Sequence, residues 1–197
     1  MAEWKLFPDG TIPECTTAAW YLSRERAPHL EQPGHRDRLL KTAEIVLEAC
    51  HGGSVRSVVD LGCGDGGLLS LLRKENPDIP AWGYDLSPDA IRAANNARNV
   101  VAFLGDIISD AIDWGDLAVA TEIFEHLVDP HAFAREIAKN SPLLVASSPA
   151  HETDRNHYEF HTWAWDKDGY CALVEQAGYT VRWHGVVAGA QILAAQK

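Results

Sequence analysis

Four acids recur along the middle of this chain, each closing an apolar run: Asp60 after SVRSVV, Asp85 after IPAWGY, Asp106 after NVVAFLG and Glu122 after DLAVAT. Asp60 leads into LGCGDGG, where Gly62, Gly64, Gly66 and Gly67 form a loop that lets a ligand approach the backbone closely. Carboxylates accept hydrogen bonds from hydroxyl and ammonium groups and repel phosphate, so this set suits a ligand rich in hydroxyls and positive charge. Glu122, Glu125 and His126 are spaced i, i+3, i+4, which predicts one shared helix face. His151, His157 and His161 stand further on among Tyr158, Phe160, Trp163 and Trp165. Imidazole exchanges protons near neutral pH and also ligates metals.

Regular elements must hold these groups. HRDRLLKTAEIVLEAC places Leu39, Ala43, Val46 and Leu47 on one side of a helix that ends at Gly52-Gly53. SVRSVVD reads as a strand, GLLSLLRKE as a helix stopped at Asn76-Pro77, and IPAWGYD as a second strand. SPDAIRAANNA is a helix capped by Ser87 with Pro88 at its first position. NVVAFLGD, residues 116–122 and PLLVASS are three more strands, with a helix after Asp129-Pro130. A helix around Asp166 to Ala177 precedes GYTVRWHGVVA and GAQILAAQ, a hairpin turning at Gly189. Alternating strand and helix predict an α/β, Rossmann-like fold: a mostly parallel seven-stranded sheet with an antiparallel C-terminal strand and helices on both faces. Ligands of such sheets sit beyond the carboxyl ends of the strands, where the four acids fall.

The glycine loop admits two readings. Gly62, Gly64 and Gly67 fit the dinucleotide pattern G-x-G-x-x-G, with Asp85 placed for a ribose. Asp60, Gly62, Gly64 and Gly66 fit instead the acid-x-G-x-G-x-G pattern of S-adenosylmethionine sites. A pyrophosphate would meet Asp60 and Asp65, whereas S-adenosylmethionine has no phosphate and carries a sulfonium and an ammonium. Electrostatics favours the second.

VVDLGCGDGG, GYDLSPDAIRAA, FLGD and VATEIFEHLVDP, in that order over roughly residues 55–147, together resemble the motifs of class I S-adenosylmethionine-dependent methyltransferases, chiefly small-molecule ones. The resemblance implies that Asp60, Gly62, Gly64 and Gly66 line the methionine end of the cofactor and that Asp85 accepts from both ribose hydroxyls. It implies that Leu86 and Ile107 sandwich the adenine, Asp106 holds its amino group, and Thr121 and Glu122 lie near the sulfonium. In the bland reading, Asp85 and Asp106 are strand-end turn formers.

The acceptor is less legible, because an activated methyl needs alignment, exclusion of water and a base only where the acceptor loses a proton. TEIF replaces the Asn/Asp-Pro-Pro-aromatic motif of base amino-methyltransferases, and neither Cys50 nor Cys171 sits in the Pro-Cys setting of cytosine-C5 enzymes. Glu125, His126 and His157 are the candidate catalytic residues, either His acting as general base. E-x-x-E-H also resembles the segment of small-RNA 3′-terminal 2′-O-methyltransferases in which two Glu and two His hold a divalent metal, His157 matching the last His. Similar segments occur in small-molecule relatives, and no metal is expected here.

The segment 1–34 is expected to cap a core of residues 35–197 in a single domain, with Trp20, Tyr21, His35, Tyr158 and Trp163 available to stack on a substrate. A net charge of -11 argues against nucleic acid, and Cys15, Cys50, Cys63 and Cys171 show no CxxC pairing. With no secretory signal and no apolar run of membrane-spanning length, a cytoplasmic enzyme is expected. The expected function is methyl transfer from S-adenosyl-L-methionine to an oxygen or nitrogen of a small organic molecule. The alternatives are metal-dependent 2′-O-methylation of RNA 3′ ends and a dinucleotide-dependent oxidoreductase.

Overall fold

The structure is a computed structural model that describes residues 1–7, 11–23, 25 and 27–197. Pro8, Arg24 and Arg26, part of the expected cap segment, lie outside the described residues. Seven strands form the main sheet in the order β4-β3-β2-β5-β6-β9-β8. They are β2 (Val58–Leu61), β3 (Ala81–Asp85), β4 (Val101–Leu104), β5 (Leu117–Thr121), β6 (Leu143–Pro149), β8 (Thr180–Val187) and β9 (Ala190–Gln196). The pairs β2/β3, β2/β5, β3/β4 and β5/β6 are parallel, and β9 runs antiparallel to both β6 and β8. The antiparallel strand is therefore inserted beside β6, and β8 forms the edge. The expected hairpin is present, with Ala188 and Gly189 both at positive φ.

Strand periodicity sorts the core onto two faces. Val58, Leu117, Val119, Val145 and Ile192 pack against α2 (Pro33–His51) and α3 (Gly67–Glu75) through Leu39, Val46, Leu68 and Leu72. Val59, Leu61, Ala118, Ala120, Leu144 and Leu193 pack against α5 (Pro130–Asn140) and α6 (Lys167–Gln176) through Phe133, Ile137, Tyr170 and Leu173. Each fully buried Leu or Phe contributes about 1.5–3 kcal/mol relative to exposure. Such a sheet is a rigid shelf for groups at its carboxyl edge.

Three local features differ from expectation. β4 ends at Leu104, two residues short of Asp106. β1 (Glu3–Lys5) and β7 (Trp163–Trp165) form a second, two-stranded antiparallel sheet, fixed where Trp165 Nε1 donates to Glu3 Oε2 at 2.7 Å. The Glu122–His126 stretch is not a helix face: Glu122 takes a left-handed φ of 56°, and only Phe124–His126 makes a single 3-10 turn. A short helix, α1 (Ala18–Leu22), lies in the N-terminal segment and is capped by Thr17. No helix among the described residues is long and apolar enough to cross a membrane.

Candidate active site

β2 delivers the glycine loop. Gly62 and Cys63 donate their N–H groups to Tyr84 O at 2.8 and 2.9 Å, folding the loop back over β3. Gly62, Gly64 and Gly66 all have positive φ. At Gly62 the left-handed φ of 78° favours glycine, and a Cβ would also force Ile123 to shift. Gly64 faces open space instead. Cys63 packs against Gly83, and burial pushes its thiol well above the usual range, so it is an inert space-filler.

Asp85, at the end of β3, accepts from Gly64 N–H at 2.8 Å and from Ser87 N–H at 2.8 Å, tying the glycine loop to the start of α4 (Pro88–Ala93). Burial raises its pKa and those amide bonds oppose the rise. Asp60 is 1 % exposed, and its Oδ1 has no hydrogen-bond partner. Burial, reinforced by the charge of Asp85 and opposed by Arg38, raises its pKa to about 7. A buried orphan carboxylate oxygen is costly unless a ligand completes it. Asp65 is occupied structurally: Arg98 Nη2 bridges it at 3.0 Å to Glu31 at 2.7 Å, clipping the N-terminal segment to the loop.

Leu86 and Ile107 stand half-buried after β3 and β4. Asp106 accepts from Ile108 N–H and Ser109 Oγ, both at 2.9 Å, which is the work of a turn former. Thr121 ends β5, and Glu122 Oε1 accepts from Ser147 Oγ at 2.8 Å with Arg38 Nη1 3.7 Å away.

The far side is built from side chains. Glu125 is fully buried with both carboxylate oxygens unpartnered, and burial plus the Glu122 charge raises its pKa far above the usual carboxylate range. His126 Nδ1 lies 3.3 Å from Phe160 O, so Nδ1 carries the hydrogen. Burial, with the neighbouring His161, lowers its pKa to about 3 and keeps the ring neutral. His161 Nδ1 lies 2.6 Å from Glu152 Oε2. Glu125, His126 and His161 bring one ligand atom each within 4.8 Å of one another. His157 does not join them; it is exposed, with Nδ1 3.1 Å from Thr153 O. The His brought to the centre is thus His161, four residues later.

Trp20 and Tyr21 close over this centre, Trp20 against Phe160 at 5.1 Å and Tyr21 against His126 at 6.4 Å between ring centroids. Tyr158 packs on Phe160 and His161. Of the other expected stacking residues, Trp163 lies elsewhere, packed on Trp165 and His131, whereas His35 stacks on His29 within reach of the charges of Arg38 and Glu122. Sequence reasoning missed the roles of Glu152, Phe160 and Arg38. The last had a signal, a charge in register with the buried face Leu39, Thr42, Ala43 and Val46 of α2.

The sequence profile of a family described as "Methyltransferase domain" matches residues 25–183, most of the chain. The chain belongs to that family. The trans-aconitate 2-methyltransferase of Mycobacterium sp. (strain KMS) is 46% identical over 52 residues, 26% of this chain, and the match spans only 20% of that protein's length. In fold the domain resembles the N-methyltransferase NodS from Bradyrhizobium japonicum WM9 in complex with S-adenosyl-L-homocysteine: TM-score 0.71, 18% identity, covering 91% of this chain and 96% of that one. It also resembles magnesium protoporphyrin IX methyltransferase from Synechocystis PCC 6803 with that product bound: TM-score 0.68, 14% identity, covering 90% and 91%. This is the class I S-adenosylmethionine-dependent methyltransferase architecture, and S-adenosyl-L-methionine is its cofactor. The residues of this methyltransferase domain fit it: Asp60 offers an unpartnered buried oxygen to a positive group, and Gly64 leaves the loop open on one side.

Proposed function

We propose that the domain transfers the methyl group of S-adenosylmethionine to an oxygen or nitrogen of a small organic molecule in the cytoplasm. The observation that carries the reading is the juxtaposition of two unlike walls: acids at the strand ends, with Asp60 buried and Asp85 and Glu122 half-buried, and an aromatic, histidine-containing wall formed by Trp20, Tyr21, Tyr158, Phe160, His126 and His161. When bound, the cofactor supplies a methyl group already activated on a sulfonium. The chain's own work is to place it and to dry the site. Asp60, Gly62, Gly64 and Gly66 hold the methionine end, Asp85 the ribose, Leu86 and Ile107 the adenine faces, and Thr121 and Glu122 border the sulfonium. Asp106 is given the adenine amino group, to which it can offer only lone pairs its turn contacts leave free.

On the acceptor side the aromatic rings exclude water and stack on a planar molecule. Of the proposed acid–base residues, His126 presents a neutral ring whose Nε2 lone pair orients an acceptor hydroxyl or amine. Burial and the Glu122 charge push the Glu125 carboxyl well above the usual carboxylate range, and in its protonated form it can donate a hydrogen bond. His157 joins only from the exposed rim. A screen of hydroxylated and amino metabolites for transfer of a labelled methyl group tests the reading; turnover on at least one class is expected, and transfer to RNA ends alone would contradict it.

One observation favours a second reading. His126 and His161 each commit Nδ1, to Phe160 O and to Glu152, as metal-binding histidines do, and Glu125 stands beside them with two unpartnered oxygens. In this reading a divalent cation is held there and the acceptor is the 3′-terminal ribose of RNA. Titration with Mn2+ followed by paramagnetic resonance, and RNA methylation with and without chelator, decide it; no bound Mn2+ and no RNA product exclude it.

A further inference from the structure

Parallel crossovers in a sheet of this kind carry helices that cover its faces. The connections β2–β3, β3–β4 and β5–β6 do so with α3, α4 and α5, but residues 105–116, joining β4 to β5, form no helix. Trp82 of β3 pairs in register with Val101 of β4, and Tyr84 with Phe103, so these four side chains share one face. With no helix over them, Val101 is 53% exposed and Phe103 46%. Both line a groove of about 750 Å3 at the amino ends of β3 and β4, together with Trp82, Trp114, Arg73 and Asp113. Exposed apolar surface with a polar rim marks an interaction site.

The edge of β4 is not the contact. Edge strands recruit other chains through free N–H and C=O groups. Asn95 occupies those of Ala102: its Nδ2 donates to Ala102 O at 2.8 Å and its Oδ1 accepts from Ala102 N–H at 3.0 Å. What stays open is the face, and the charges on it select the occupant. Arg73 and Asp113 are both exposed, and neither side chain has a hydrogen-bond or ion-pair partner among the described residues. Their signs are opposite, so the patch complements itself, because about a two-fold axis each residue meets another of the same patch in two equivalent places. A net charge of -11 opposes self-association wherever opposite charges do not meet, which makes that match a requirement.

We propose that this face is a two-fold interface between copies of the chain, in which Val101, Phe103 and Trp114 bury apolar surface against the partner's and Arg73 of each copy pairs with the partner's Asp113. The interface sits at the opposite strand ends from the acids of the candidate active site, so breaking it leaves those groups in place.

Sedimentation equilibrium of the wild type, Arg73→Asp, Asp113→Arg and Val101→Glu, at micromolar concentration and physiological salt, tests this. The wild type is expected to be a dimer. Each charge reversal sets like charges together twice and should weaken the dimer by about 10-fold or more. An equimolar mixture of Arg73→Asp and Asp113→Arg should form a mixed dimer, because the altered charges are complementary across the axis. Val101→Glu should also dissociate it. All three positions are exposed, so each variant should keep the wild-type circular dichroism; should one charge variant not fold, the other and Val101→Glu decide. A monomeric wild type, a dimer that no variant weakens, or charge variants that do not associate on mixing overturn the proposal.

Discussion

On the β2–β3 side of the site, the groups set for a ligand are largely positioned by backbone: a loop with positive φ at Gly62, Gly64 and Gly66, and Asp85 clamped by two amide N–H groups. On the β5–β6 side they are side chains gathered from three separate stretches, Trp20 and Tyr21, Glu122 to His126, and Glu152 to His161. The first side uses glycines where the chain turns left-handed; the second puts Glu122 there, at φ 56°, keeping a carboxylate at the cost of strain. The contrast teaches that the proposed donor side is built by geometry intrinsic to a short segment, and the proposed acceptor side by a surface that only the whole fold assembles.

The comparison breaks most visibly at Asp85. Asp85→Ala removes the clamp on Gly64 and Ser87 and the proposed ribose acceptor, so S-adenosylhomocysteine affinity should fall on the order of 100-fold in calorimetry. An unchanged value would move the ribose elsewhere.

Asp60 gives the next largest effect, through pH. Its carboxyl ionises near 3.8 when unfolded and at about 7 when folded, so the folded chain holds an extra proton across that window. Stability from this group is present below pH 4 and lost as pH rises through 7, by up to about 4 kcal/mol. Asp60→Asn should therefore gain melting temperature over the wild type at pH 8 and little at pH 4; parallel melting curves at both would refute the buried acid. Donor affinity should move the other way, rising through pH 7 in the wild type as Asp60 becomes an anion, and staying flat in Asp60→Asn.

The smallest effect sharpens the contrast. Trp20→Ala and Tyr158→Ala, on the acceptor wall, should change S-adenosylhomocysteine affinity by less than about 2-fold while lowering methyl transfer. A loss matching Asp85→Ala would merge the two sides into one.

Legibility in the sequence follows the same division. The strands of the main sheet, the glycine loop and the strand end at Asp85 were readable because alternation, turn residues and acid positions lie in contiguous stretches. Asp106 was placed at a strand end, yet the strand stops at Leu104 and the acid caps a turn. The i, i+3, i+4 spacing of Glu122, Glu125 and His126 suggested a helix, but Glu122 N–H bonds to Ser147 O across the sheet and the chain turns away. His161 rather than His157 reaches His126 because Glu152, nine residues earlier, orients its ring; no local pattern reveals that. The β1–β7 pairing joins residues some 160 positions apart, and three-residue strands carry too little periodicity to announce themselves.

Titrating the unliganded protein with S-adenosylhomocysteine and, separately, with NAD puts the proposed donor site at the acidic strand ends to the most direct test. The homocysteine product should bind at a single site and abolish any heat from NAD. Tight NAD binding with no response to S-adenosylhomocysteine would contradict the account.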